Sequence, residues 1–366
     1  MELALPDLVD LLRQAAGPAD VFGALDGDLA AALKRRYRAL AAATHPDRNP
    51  GMAAAAHEAF QALQRWYALA QREVAGGSYG RLPRVEVITR LRGYRGDAAP
   101  LRGDLCDLFP AAASPPPAPG DGGERVLLKV ARNPHNNDLL AAEIQALRRI
   151  DGGLAGQAVR AHFPTLVEPF LLRDAAGVQR QGIVLRAEAG FVTLADVLRA
   201  YPRGIDPADA AWMFNRLLAA LGSAHALELV HGAVTPAHVL IRPSDHNGLL
   251  IDWCYSVPIG EPLKAIARPY AADYPPEVDA RRAATPATDI YMAARCLARL
   301  LGGDGCAESL PAGVPRPIRA LLRACLLPAP RRRPDDAWQL FDDFQEILGR
   351  LYGRPAFRPF HMSAST

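Results

Sequence analysis

Pro46 separates two segments whose apolar residues recur at helical spacing, and this break most limits how the start of the chain can fold. Leu29, Leu33, Tyr37 and Leu40 lie at spacings of four, four and three, which predicts an amphipathic helix. Proline disfavours helical conformation at the residue before it and cannot donate its own backbone hydrogen bond. We therefore expect the first helix to end just before Pro46.

The residues after Pro46 indicate a second helix. Asn49 followed by Pro50 is typical of an N-cap with proline at the first helical position. A second apolar stripe then follows, consisting of Phe60, Leu63, Tyr67 and Ala70. The sequence therefore predicts two antiparallel helices with His45, Pro46 and Asp47 in the loop that connects them.

This pattern resembles a J domain, the co-chaperone module that docks on heat-shock chaperone ATPases of the DnaK type, over roughly residues 15 to 76. The resemblance implies that His45, Pro46 and Asp47 trigger ATP hydrolysis in the partner and do no chemistry themselves. It also implies a basic docking face made of Lys34, Arg35, Arg36 and Arg38. The alternative is an ordinary helical hairpin whose loop happens to contain this tripeptide, since short motifs also occur by chance.

Composition and charge limit the remaining possibilities. The 366 residues suggest two or three domains, and 50% hydrophobic residues allow a substantial core. Forty-two basic and 39 acidic residues leave a net charge of +3, which does not indicate a nucleic-acid partner. The five cysteines form no C-x-x-C pair, so neither a zinc site nor a disulfide framework is expected. Glu2 and Asp7 interrupt any signal peptide and no run approaches ~18 apolar residues, so we expect a cytoplasmic protein without a membrane span.

Glycine and proline suggest the domain boundaries. Gly76-Gly77-Ser78 ends an N-terminal domain at residues 1–78, and residues 111–123 have the Pro/Gly/Ala composition of a loop-like insert. The rest is divided into a β-rich lobe at 79–187, a helical lobe at 188–350 and a tail at 351–366. The sequence leaves open whether the tail packs on the helical lobe or presents a peptide motif.

A lysine within an apolar run indicates a buried charge that needs a partner. Lys129 lies in the strand-like run Val126–Val130, and Glu143 lies on a helical stripe that follows it. The alternative is a lysine at a strand edge and a solvated glutamate.

Five later segments occur in a telling order: 229–241, Asp252-Trp253-Cys254, Tyr274–Glu277, Thr288–Tyr291 and Arg333-Pro334. In that order they resemble landmarks of the protein kinases: the catalytic loop, the metal-binding D-F-G motif, the A-P-E motif, the start of the αF helix and the arginine that pairs with the A-P-E glutamate. The resemblance covers roughly residues 84 to 350, with a hinge near Arg186 to Gly190. The predicted fold class is therefore α+β and multidomain, with a small all-α J-domain hairpin followed by a two-lobed kinase-like fold.

The kinase resemblance assigns roles to several residues. It implies that Lys129, held by Glu143, grips the ATP phosphates, that Gly103 belongs to the glycine-rich loop and that Asp252 binds Mg²⁺. The structural roles fall to His231, Glu277, Asp289 and Arg333, with Arg333 paired to Glu277.

The chain departs from the kinase pattern where catalysis is performed. Ala233 replaces the catalytic aspartate and His238 replaces the metal-binding asparagine, so no catalytic residue is expected. The glycine-rich loop keeps only Gly103, and Asp104 and Asp107 would repel phosphates. The sequence leaves open whether Lys129, Glu143 and Asp252 hold nucleotide or only join the lobes.

Taken together, the two resemblances imply a J-domain co-chaperone that stimulates a DnaK-type ATPase, with a degraded kinase fold as a client-binding or regulatory scaffold. ATP and Mg²⁺ are the only cofactors that the kinase resemblance suggests, and the expected partners are a DnaK-type chaperone and a client protein. A first alternative is a weakly active or unconventional transferase of phosphoryl or AMP groups, because losing a general base typically costs only ~10²–10⁴-fold in rate. A second alternative is an anchoring protein for one fixed partner.

Overall fold

The protein divides into two compact units in a computed structural model. The first unit takes the described residues up to Ile88 together with Gly93–Pro100, and the second takes Thr89–Arg92 and the described residues from Leu101 onward. This division places strands 84–88 and 93–97 with the N-terminal unit, later than the expected boundary at residue 78. The structure describes residues 5–15, 18–77, 79, 84–97, 100–114, 124–173, 177–354 and 356–362.

The first unit is mainly helical. Its elements are α1 (Leu5–Gln14), α2 (Pro18–Phe22), α3 (Leu29–Thr44), α4 (Ala53–Ala75) and an antiparallel pair of strands, β1 (Arg84–Ile88) and β2 (Gly93–Asp97). The predicted stripes face each other, since Leu33 and Leu63 are buried in one core and the Tyr37 and Tyr67 rings stack with centroids 4.0 Å apart. Asp28 caps α3 by accepting from the backbone N–H of Ala30, which fixes where the helix begins.

The loop between α3 and α4 differs from its predicted form. Helix α3 ends at Thr44, as Pro46 predicts, but α4 begins only at Ala53, after two 3₁₀ turns at Pro46–Arg48 and Pro50–Met52. Asn49 is an N-cap with proline at the first position after it, as predicted, but of the second 3₁₀ turn and not of α4, and its side chain makes no capping bond. Its amide instead donates to the carbonyl oxygens of Ala43 and His45, because the chain turns back over the end of α3.

The second unit begins with an antiparallel sheet. Its strands are β3 (Leu101–Arg102), β4 (Cys106–Ser114), β5 (Arg125–Ala131), β6 (Leu166–Arg173) and β7 (Gln179–Arg186). They lie side by side in the order β3, β4, β5, β7, β6, and helix α5 (Asn137–Gly153) connects β5 to β6. Lys129 pairs with Leu108 on one side and Ile183 on the other, so it lies in the middle of the sheet.

Strand β4 continues into the segment that was predicted to be a loop-like insert at 111–123. Ala111 pairs with Val126 and Ala112 with Arg125, so the described part of that segment, 111–114, extends the sheet. Backbone hydrogen bonds in the ladder satisfy these residues without large side chains, which composition alone does not reveal. The remainder of the insert, 115–123, lies outside the described residues.

The rest of the second unit is mainly helical. Its elements are β8 (Val192–Thr193), α6 (Leu194–Ala200), α7 (Pro207–Ala226), β9 (Leu229–Val230), β10 (Val239–Arg242), β11 (Asn247–Leu250), β12 (Val257–Pro258), α8 (Pro276–Asp279), α9 (Pro286–Leu300), α10 (Arg316–Cys325) and α11 (Ala337–Tyr352). Helix α7 is apolar on nearly every side and is therefore buried among the others, with Phe214 meeting Phe344 of α11 edge to face at 5.2 Å.

The described part of the tail, 356–362, packs on this helical region. Phe360 is buried and its ring lies near those of Tyr201 and Trp212. Arg358 pairs with Asp206 and Asp209 at the start of α7, at 2.9 Å each. Of the two arrangements that the sequence left open, the structure has the packed one.

Within the described ranges, none of the helices combines the length and the apolar character needed to cross a bilayer.

Candidate functional site

Three elements of the second unit bring the predicted lysine, glutamate and aspartate together. Lys129 lies in β5 between buried Leu128 and Val130, and Glu143 lies on the buried face of α5. Asp252 follows β11 with φ 64° and ψ 51°, a left-handed conformation that aspartate tolerates better than most residues.

Lys129 binds both carboxylates. Its Nζ lies 2.7 Å from Oε2 and 3.0 Å from Oε1 of Glu143, and it also bonds Oδ1 of Asp252. The Lys129 and Glu143 side chains are buried, while that of Asp252 is 20% exposed. Of the alternatives left open by sequence, the buried pair is the one present, and it leaves Lys129 with its charge fully matched.

His238 lies on the other side of Asp252 from Lys129. Its Nε2 lies 3.2 Å from Oδ2 of Asp252 and 3.5 Å from Oδ2 of Asp104. Its Nδ1 lies 2.8 Å from the carbonyl oxygen of Ala233, which can only accept. Both ring nitrogens therefore face acceptors, and the ring satisfies both only when it carries two protons, as imidazolium.

The charges shift the ionisation of these groups in a consistent direction. Burial alone would lower the pKa of Lys129, but Asp252 and Glu143 outweigh burial, and the pKa lies well above its usual value. Burial likewise opposes a charged His238, yet Asp252 and the hydrogen bonds to Asp104 and Ala233 raise its pKa. For Asp252, Lys129 and His238 overcome the effect of burial and bring the pKa down to about 2. Burial raises the pKa of Glu143, and Lys129 opposes that shift.

Tyr255 completes this cluster. Its ring stacks on that of His238, with centroids 5.6 Å apart and an interplanar angle of 27°, and its hydroxyl donates to Asp104 at 3.4 Å. We call Asp104, Lys129, Glu143, His238, Asp252 and Tyr255 the cleft cluster.

Asp289 fixes the loop that precedes His238 through hydrogen bonds to its backbone. Its carboxylate accepts from the backbone N–H groups of His231 and Gly232 at 2.8 and 2.9 Å, and His225 Nε2 lies 3.0 Å from it. His231 bonds the carbonyl oxygen of Ile251 at 2.8 Å through Nε2, and its burial lowers its pKa to about 4. Ala233 is fully buried and offers only backbone atoms.

The structure also brings Glu277 and Arg333 together. Their side chains are 2% and 0% exposed and form two parallel bonds of 2.6 and 3.0 Å, with the Arg333 guanidinium 4.7 Å above the Tyr291 ring. Thr288 also bonds Glu277, at 3.2 Å. This pair fixes α8 against the segment before α11 and has no part in the cleft.

Little space remains between the β3–β4 hairpin and the side chains of Lys129 and Asp252. Gly103 closes a tight hairpin between β3 and β4, where its N–H donates to the Cys106 carbonyl at 3.0 Å. The cavity bounded by this hairpin, Lys129, Asp252 and Tyr255 has a volume of about 10 Å³. That volume holds at most about one water molecule.

The cleft cluster does not fit Mg²⁺ or a triphosphate as it is arranged here. Among the described residues, Glu143, Asp252 and Cys254 could bring ligand atoms within 4.8 Å of one another. Both oxygens of Glu143 and one of Asp252 already bond the Lys129 ammonium, however, and burial raises the pKa of the Cys254 thiol well above its usual value. A cation at that point would meet a positive charge and a protonated thiol, while Mg²⁺ requires oxygen ligands.

The residues expected to bind a chaperone lie in the first unit. His45 and Asp47 are exposed, with the Asp47 side chain 89% accessible, and Pro46 is partly buried. The four cations predicted for the docking face are all exposed on α3: Lys34, Arg35, Arg36 and Arg38.

Sequence reasoning missed two features of the cleft. It treated His238 as a poor metal ligand and Asp104 as a phosphate-repelling group, without joining them as an ion pair. The two residues are 134 positions apart, but one signal was available, since a histidine in place of a metal ligand beside surviving carboxylates can itself supply positive charge. Nothing in the sequence indicated the stacking of Tyr255.

Comparison with known proteins supports a protein-kinase-like domain. Cyclin-dependent kinase 20 of Rattus norvegicus and of Mus musculus are each 30% identical to this chain over 133 residues. The match covers 34% of this chain and 37% of each kinase, so the chain spans little more than a third of the length of the curated relatives it matches. No protein-family model matches the chain. The mixed α/β architecture of the second unit is consistent with this similarity.

Proposed function

We propose that the protein is a J-domain co-chaperone that stimulates a DnaK-type chaperone ATPase, and that its kinase-like unit is a client-binding or regulatory scaffold. The observation that carries the scaffold role is that the position of the kinase base has no side chain able to accept a proton and that the cleft aspartate is already paired. Alanine stands where a kinase has its base, and His238 and Lys129 already neutralise Asp252. A kinase cleft needs that aspartate for its metal, so phosphoryl transfer is disfavoured here.

The co-chaperone role is supported by the form of the loop between α3 and α4. His45 Nδ1 accepts from the Asp47 backbone N–H at 3.2 Å, and the Asn49 amide bonds two carbonyl oxygens at 2.9 Å each. The His45 ring also meets Phe60 edge to face at 5.8 Å. The loop is thus held in one form while the Asp47 carboxylate points into solvent, which suits a group that a partner reads.

The exposed cations of α3 support the same role. Lys34, Arg35, Arg36 and Arg38 lie within five residues on one helix that leads directly into the loop. Such a cluster favours an acidic partner surface and accelerates its association, with an effect that falls as salt increases.

Replacing Asp47 with Asn tests the co-chaperone role. We expect Asp47→Asn to abolish the stimulation of ATP hydrolysis by a purified DnaK-type chaperone, measured in single turnover, because it removes the exposed charge. Asp47 forms only a weak surface contact with His45, so unfolding should be unchanged. Asp26→Asn, which changes an exposed aspartate of the same unit outside the motif, is the matched control.

Equal stimulation by Asp47→Asn and by the unchanged chain would contradict the co-chaperone role. Loss of stimulation in both variants would point to a general effect of charge and would also count against a specific role for the tripeptide.

One observation favours a second candidate function, a weak or unconventional transferase of phosphoryl or AMP groups. Lys129, Glu143 and Asp252 converge on one point as they do in an active cleft. This candidate requires the cleft to open and His238 to leave Asp252.

A further inference from the structure

We infer that His238 is a resident cation of the cleft, and that it occupies the electrostatic place of a divalent metal ion and holds the cleft closed. This inference deepens the scaffold half of the proposed function and is independent of the co-chaperone half. It assigns to His238 a positioning role for Asp252 and for the hairpin that carries Asp104.

The position of His238 between two carboxylates carries the inference. Asp104 comes from the β3–β4 hairpin and Asp252 from the segment after β11, and one imidazole nitrogen lies within 3.5 Å of an oxygen of each. Two carboxylates that face each other across a small cavity repel unless a cation stands between them. In a metal-dependent cleft that cation is the ion, and here the chain provides it.

The ring is fixed in a way that suits a permanent cation. Its Nδ1 is anchored to the Ala233 carbonyl at 2.8 Å, and its face is covered by the Tyr255 ring. The side chain is 3% exposed, so water cannot replace the carboxylates as partners. Because the Ala233 side chain has no polar atom, its backbone carbonyl oxygen is the group that this residue offers to the imidazole.

The charges of the cluster then nearly balance. Three carboxylates, Asp104, Glu143 and Asp252, face two cations, Lys129 and His238. Adding Mg²⁺ would put a third positive group against Asp252, whose two oxygens are already bonded. Removing His238 would leave three carboxylates facing Lys129 alone, and that arrangement attracts a metal ion.

A set of variants tests the resident cation through thermal unfolding at pH 7. We expect His238→Gln to lower the Tm by roughly 6 °C or more, since it removes one partner of a buried charge pair. Adding Asp104→Asn to His238→Gln should recover part of that loss, because it restores the charge balance. A merely structural role for the imidazole would give no recovery. His135→Gln, at an exposed histidine of the same unit, is the matched control and should leave the Tm unchanged.

The unchanged chain and a further variant, His238→Asn, which puts an amide oxygen in place of the imidazole, are then titrated with MgCl₂ alone. We expect the unchanged chain to show no Mg²⁺-dependent rise in Tm, and His238→Asn to show one that saturates. A saturating rise of equal size in the unchanged chain would overturn the inference, as would the absence of a rise in His238→Asn together with no recovery in the double variant.

If the His238 variants fail to fold, ¹⁵N NMR of the histidine-labelled unchanged chain decides the question. The His238 ring, assigned through its contacts with Tyr255, should carry protons on both nitrogens at pH 7, and a neutral ring would overturn the inference. None of these measurements involves a chaperone, so their failure is distinct from a failure of the co-chaperone role.

Discussion

At the scale of single residues, the second unit places ionised groups where water cannot reach them and matches each with a partner. The Glu277–Arg333 pair is the most enclosed, since both side chains are at most 2% exposed. A buried pair of this kind adds little stability compared with apolar residues of the same volume in its place. The loss of one partner is costly, however, because the remaining charge is neither paired nor hydrated.

Glu277→Gln should therefore destabilise the second unit by about 3–5 kcal/mol, because Arg333 keeps its charge and loses its carboxylate. Urea unfolding measures the change. Glu346→Gln is the control, since Glu346 forms an exposed i,i+4 pair with Arg350 that is worth about 0.3–0.5 kcal/mol. Similar losses from the two variants would show that the Glu277–Arg333 pair is not the buried anchor it is described to be.

The buried His231 predicts how stability depends on pH. Its pKa is about 4 in the folded chain, because of burial, against about 6.5 when unfolded. Between these values the unfolded chain binds a proton that the folded chain does not, so stability falls as pH drops from about 6.5 to about 4, by up to roughly 3 kcal/mol. His238 acts in the opposite sense, since its raised pKa contributes stability below about 6.5 that is lost as pH rises through the folded value.

Urea unfolding at several pH values between 4 and 7 measures this dependence. His231→Gln should be less stable than the unchanged chain at pH 7 but should lose less stability on acidification. A pH dependence as steep in His231→Gln as in the unchanged chain would place the titrating group elsewhere.

At the scale of elements, the tail is joined to the helical region by aromatic and ionic contacts. Phe360 inserts near Tyr201 and Trp212, and the Tyr201 hydroxyl bonds the backbone of His361. Phe360→Ala should cost roughly 1.5–3 kcal/mol, the value of burying such a side chain, because the tail end can detach and leave no cavity. Phe357→Ala changes a ring that is 63% exposed in the same segment and should cost less than about 0.5 kcal/mol.

Limited proteolysis complements the unfolding measurement. Phe360→Ala should expose the tail to cleavage near residue 358 while Phe357→Ala stays protected. Equal protection in the two variants would contradict the tail's attachment through Phe360.

Elements were more predictable from sequence than the chemistry of the cleft. The end of α3 follows from Pro46 and the convergence of Lys129 with Glu143 follows from one buried charge, because each depends on local pattern or on a simple energetic need. The continuation of β4 through Ser114 depends on its pairing with β5, and the role of His238 depends on Asp104, which is distant in sequence. Both features depend on contacts between residues that are far apart in the sequence. The periodicity of apolar residues along the chain does not reveal such contacts.

At the scale of the whole molecule, the two candidate functions make opposite predictions for ATP. If the cleft is a closed scaffold, incubation with ATP, Mg²⁺ and a cell extract should transfer no phosphoryl or AMP group above the background of Asp252→Ala. Mass spectrometry of the extract and of the chain itself measures the transfer. Label that appears with the unchanged chain and is lost in Asp252→Ala would favour the transferase.

The conformational entropy of the loop between α3 and α4 is lost when the chain folds, and not when a partner binds. Its two 3₁₀ turns and the bonds of Asn49 order the backbone when the chain folds. If a chaperone recognises His45 and Asp47, as we propose, it does not spend its own contact energy on ordering that loop, and a small contact area can suffice for a short-lived encounter. Under that proposal, the loop favours transient, repeated binding over a long-lived complex.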